Sequence, residues 1–78
     1  MHYTYVLKSL KDSKLYIGYS ENLKIRFKEH CDGHVPATLA RRPLQLVYYE
    51  ACLSKNKALA REKYFKTGFG RRFLKNRI

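Results

Sequence analysis

Cysteine, acid and long apolar runs are what this chain is short of. Its 78 residues include two cysteines, Cys31 and Cys52. Two are too few for a disulfide framework and lack any metal-binding spacing, so both are expected to be ordinary buried or half-buried thiols of a reducing cytoplasm. A charged-then-apolar leader and a long apolar stretch are both missing, which speaks against secretion and against membrane spanning. With no internal repeat, low-complexity tract or linker, residues 1–78 are expected to form one domain. Its core must be thin, because a chain of this size buries only about 60% of the surface it exposes when unfolded. Acid is scarce: six Asp and Glu face seventeen Lys and Arg, for a formal charge of +11 and a pI near 10.0. That excess favours a polyanionic partner, nucleic acid above all. A membrane surface is not indicated, since no segment sets a basic face against a strongly apolar one.

What is present reads as short, alternating elements. HYTYVL (2–7) puts Tyr3, Tyr5 and Leu7 on one face and His2, Thr4 and Val6 on the other. SLKDSK offers turn chemistry at Asp12 and Ser13, and LYIGY (15–19) alternates again, so a β-hairpin is predicted with Tyr5 facing Tyr16. Ser20 is placed as the N-cap of a helix running to about Cys31, with Glu21 in its first turn. Leu23 and Phe27 form the inward stripe of that helix, with Asn22, Arg26 and His30 on a second stripe beside it. CDGHVPATLARRP is a polar connection, and LQLVYYE a strand covered on both faces. Ser54 caps a second helix ending at Gly68, with Ala58, Leu59 and Phe65 inward, and the tail with Phe69, Phe73 and Leu74 forms a short helix packed on the body. The order β-β-α-β-α, plus this last helix, predicts a small α/β domain of the α+β type with an antiparallel sheet.

Several residues stand out from this pattern. Glu62 lies on the inward stripe, where an ionised acid needs a compensating cation. Either a neighbouring Lys or Arg pairs with it, or it is an oxygen ligand for Mg²⁺ or Mn²⁺, whose other positions water and phosphate fill. Arg26 either covers the core with its stem or directs its planar fork at a phosphate. His30, one turn on, could bond that phosphate, act as an acid or close the helix. Tyr3, Tyr5 and Tyr16 are either sheet residues or oxygen acids and bases, and Gly18 in a strand marks a close approach, here ascribed to a phosphate or metal.

Taken in order, Tyr3-Thr4-Tyr5, Tyr16-Ile17-Gly18, GYSENLKIRFKEH and ALAREKYFK resemble a GIY-YIG nuclease domain, and the likeness extends over essentially the whole chain. The first motif keeps its final tyrosine and lacks its glycine. The resemblance implies a three-stranded antiparallel sheet flanked by helices, one divalent cation (Mg²⁺ or Mn²⁺) and cleavage of nucleic-acid backbones, DNA ahead of RNA, with DNA repair the commonest setting. It makes Glu62 the metal ligand and Arg26 the catalytic arginine, with Tyr5, Tyr16 and His30 completing the catalytic set. An unperturbed tyrosine is a poor base at neutral pH, so lysines or the metal's field are expected to lower its pKa. Tyr3, Gly18, Asn22, Lys63 and Asn76, the last in the region of the family's late asparagine, are candidates for contact with nucleic acid. Two other readings stay open: a module that binds nucleic acid without cutting it, and an accessory domain acting through a protein partner, as a monomer or weak dimer.

Overall fold

Asp12 and Ser13 bend the chain as their chemistry suggests. Ser13 takes a φ of 64°, and Asp12 Oδ1 accepts from the Lys14 amide at 2.9 Å. In the computed structural model, which describes residues 1–78, this turn joins β1 (His2–Ser9) to β2 (Leu15–Ser20). After α1 (Leu23–Cys31) and the one-turn α2 (Pro36–Leu39), β3 (Leu44–Cys52) pairs with the far edge of β1. The result is an antiparallel three-stranded sheet of order β2-β1-β3, followed by α3 (Lys55–Phe65) and α4 (Gly68–Lys75). No helix is long and apolar enough to cross a membrane.

Both faces of the sheet are covered. Leu23 and Phe27 of α1 pack on Tyr5, Leu7 and Leu44. On the other face Val6 and Ile17 meet Phe65 of α3 and Leu74 of α4. A bulge opposite Val6 and Leu7 inserts an extra residue in β3, so the consecutive Val47 and Tyr48 both pack toward the α3–α4 cluster. This is how LQLVYYE is apolar on both faces and still joins a single ladder. Behind the sheet, Glu50 accepts from Arg61 at 2.9 and 2.8 Å and from the Tyr48 hydroxyl at 2.8 Å, and Arg61 lies 4.6 Å over the Phe65 ring. This fork-to-carboxylate pair fastens β3 to α3.

Several local expectations are corrected. The hairpin pairs Tyr5 with Gly18 and Leu7 with Tyr16, so the two tyrosines share a face as diagonal neighbours and do not oppose each other. The reason is the loop, closed by the Ser9 amide on the Lys14 carbonyl at 2.9 Å, which fixes the register two residues from the expected one. Helix α1 is capped by Asn22, whose Oδ1 accepts from the Ile25 amide at 3.1 Å, while Ser20 closes β2 and its Oγ takes the Asn22 amide at 3.0 Å. Glu21 therefore precedes the helix. Gly68 opens α4 under the Thr67 cap, and α3 ends at Phe65 with Lys66 as its C-cap. Leu59 and Phe69 are exposed, not inward, because the buried line of α3 is Ala58 to Phe65 and that of α4 is Gly70 to Leu74. Cys31 is an exposed thiol, and Cys52 is half-buried.

Candidate active site

Gly18 sits directly across the ladder from Tyr5, and a Cβ placed there would fall on the phenol carbon and oxygen of Tyr5. The glycine thus makes room for the neighbouring strand's ring, a different cause from the phosphate or metal expected above. Gly18→Ala is expected to lower stability by about 1–3 kcal/mol. In a Tyr5→Ala background the loss should shrink, because the atoms it meets are gone; equal losses measured by urea unfolding in both backgrounds would exclude this packing.

Freed to lie across Gly18, the Tyr5 phenol reaches α1. Its oxygen is 2.8 Å from His30 Nε2, and His30 Nδ1 is 2.7 Å from the Thr38 hydroxyl; all three residues are buried. The Tyr16 ring meets the same imidazole edge-on, with centroids 5.2 Å apart. Arg26, one turn before His30, pairs with Glu29 at 3.1 Å and stands beside the Tyr5 oxygen. Burial pushes the Tyr5 phenol above its ordinary pKa; Arg26 opposes this, while Tyr16 and the Glu62 carboxylate add to it. Tyr5 is therefore a neutral phenol at rest. The expected lowering by lysines or the metal's field is thus corrected for the protein's own groups: the net direction is upward, no lysine takes part, and Arg26 is the cation that opposes the rise.

Glu62 approaches from α3. Its charge acts on Tyr5, yet it makes no hydrogen bond, and its one ion pair is a 3.6 Å contact with the exposed Lys66. A half-buried carboxylate so weakly compensated is suited to a cation. No group of three or more His, Cys, Asp or Glu forms an all-protein cage. A single carboxylate fits Mg²⁺ or Mn²⁺, which keep water and take phosphate oxygens as further ligands. Glu62 is the residue that would hold such an ion.

The remaining sequence candidates lie outside this cluster. Tyr3, on the same face of β1 as Tyr5, lines a groove of about 500 Å³ with Leu23, Phe27 and Tyr49. Asn22 serves as the α1 cap, Lys63 is exposed on α3, and Asn76 closes α4, whose Leu74 packs on the opposite sheet face from Tyr5. The residue that sequence reasoning missed is Thr38. Its signal was Pro36, a helix-starting residue in what looks like a plain connection.

Burial, reinforced by Arg26 and opposed by Glu29, holds His30 below the ordinary imidazole value. As pH falls below about 6.5 the unfolded chain takes up a proton that the folded chain refuses, so stability is full above that pH and declines beneath it. The limiting slope is about 1.4 kcal/mol per pH unit. Melting temperature followed from about pH 8 to pH 5 should show the decline, and His30→Gln should flatten it. A wild-type profile that is flat across this window would mean that the folded chain admits the proton.

A buried tyrosine beside an arginine, on a three-stranded antiparallel sheet with helices on both faces, is the architecture of a GIY-YIG domain. The family model for the GIY-YIG catalytic domain matches residues 1–76, and the chain belongs to that family. Its curated relatives include a UPF0213 protein of Bacillus licheniformis, 46% identical over 66 residues that cover 83% of this chain and 67% of that one. Another, from Staphylococcus saprophyticus, is 43% identical over 85% of this chain and 80% of its own length. The solution NMR structure of a UPF0213 protein from Bacillus halodurans superposes with a TM-score of 0.59 at 32% identity, covering 96% of this chain and 82% of that one. The family is of nuclease type, and its nucleases generally use a divalent metal.

Proposed function

We propose that the chain is a metal-dependent endonuclease that hydrolyses nucleic-acid phosphodiester bonds, DNA ahead of RNA. The observation that carries this reading is the Tyr5 phenol, bonded to His30, adjoining Arg26 and acted on by both Tyr16 and Glu62. The reading is supported by an oxygen acid/base and a guanidinium that meet from elements distant in sequence, and by a carboxylate on α3 whose charge reaches the same phenol. Arg26 neutralises charge that grows on the phosphate oxygens, and its planar fork suits two of them. Tyr5, once it has given its own proton to solvent, accepts the proton of the attacking water as the phenolate, with His30 holding the ring in place. Held by Glu62, a divalent ion would supply Lewis-acid stabilisation of the phosphate and the leaving oxygen. The formal charge of +11 draws the strand in, and the groove at Tyr3, Phe27 and Tyr49 gives flanking nucleotides an aromatic surface.

The test is incubation of the pure protein with supercoiled plasmid, single-stranded DNA and structured RNA, with Mg²⁺ or Mn²⁺ and with chelator. Metal-stimulated nicks or cuts that chelator abolishes are the expected result. Tight, salt-sensitive binding without cleavage of any of the three would instead make the chain a binding module.

A further inference from the structure

The His30 ring lies between two hydroxyl groups, one on each nitrogen. A neutral imidazole has one donor and one acceptor nitrogen, so the row Thr38–His30–Tyr5 carries three protons for two hydrogen bonds. One proton must point out of the row at one of its ends. Thr38 is completely buried, and its hydroxyl has no partner other than His30 Nδ1. A proton turned out there would be an unsatisfied donor in the interior, which folded proteins almost always avoid. Tyr5 is buried as well, but other groups act on its oxygen, Arg26 and the Glu62 carboxylate among them, whereas the Thr38 hydroxyl meets only His30.

We propose that Thr38 is a positioning residue for Tyr5: its hydroxyl donates to His30 Nδ1, holds the ring as the Nε2–H tautomer, and so makes His30 a donor to the phenol oxygen. The Tyr5 O–H is then the proton left facing the site. Its loss to solvent gives a phenolate that receives the His30 N–H with Arg26 alongside, and donors to the charged form favour it. That phenolate takes the proton of the attacking water, while Thr38 and His30 keep theirs. This catalytic meaning rests on the nuclease reading; the direction of the two hydrogen bonds does not.

The ring tautomer is read directly from two-bond ¹⁵N–¹H correlations of the labelled, substrate-free protein. A protonated Nε2 and an unprotonated Nδ1 are expected for His30, and a ring protonated at Nδ1 overturns the proposal. In cleavage assays Thr38→Val, with folding checked by its amide spectrum, should lower kcat about tenfold at unchanged KM, and Thr38→Ser should restore it. Unchanged kcat in a folded Thr38→Val protein would equally overturn the positioning role. Should no nucleic acid be cut, the nuclease reading fails by itself, and the wild-type tautomer alone decides the hydrogen-bond row.

Discussion

Glu62→Gln is expected to remove metal-stimulated cleavage, lowering kcat by about a thousandfold or more, while the melting temperature moves by no more than ~2 °C. The two halves of this expectation have separate causes. Glutamine keeps the shape of the side chain and takes away the charge that would hold the ion. The fold asks little of that charge: its partner is an exposed Lys66 at 3.6 Å, one helical turn away. Such pairs contribute a few tenths of a kcal/mol. Glu50 is the opposite case, a carboxylate gripped by Arg61 and Tyr48 and needed for packing, not chemistry. Plasmid nicking and a thermal melt on the same sample make the check. Cutting at the wild-type rate by the folded variant would take Glu62 out of the metal site.

The largest loss of stability is expected at Gly70. A Cβ there would run into the Tyr64 carbonyl oxygen and the Phe65 backbone, where α4 crosses the end of α3. Main-chain atoms cannot swing aside as a side-chain tip does, so Gly70→Ala must part the two helices and loosen Phe65 and Leu74, both fully buried. A penalty of about 3 kcal/mol follows, or ~12–24 °C in melting temperature for a domain of this size. Gly68→Ala is the internal control. Its Cβ would meet nothing within 4 Å, so replacement should be neutral or stabilising by up to about 1 kcal/mol. Similar melting of the two variants would show that α4 does not close on α3 at Gly70.

The sequence was most informative where structure is decided locally. The turn at Asp12 and Ser13, the Ser54 cap and the period-2 strands are properties of a few adjacent residues, and the three-stranded α+β architecture followed from their order. The site was legible in part, because Tyr5, Tyr16, Arg26 and His30 converge through a face-sharing pair of strands and a four-residue helical step. Register was less accessible, since a loop hydrogen bond between Ser9 and Lys14 decides it. The reason for Gly18 could not be found within its own strand, because the atoms that demand it belong to Tyr5. Thr38 was hidden for a related reason. It meets His30 across an irregular connection, where no periodicity marks which residues touch. Leu59 and Phe69 misled because an apolar residue beside a buried stripe looks the same in sequence as one within it.

The sheet order has a consequence for how the molecule comes into being. β1 lies in the middle, with the nearby β2 on one flank and the distant β3 on the other. The hairpin can zip up early, but sealing the second flank means drawing in a long stretch of chain that includes Arg26, His30 and Thr38. The meeting of Tyr5 with His30 and Thr38 is therefore expected to be among the last contacts completed on the way to the native state.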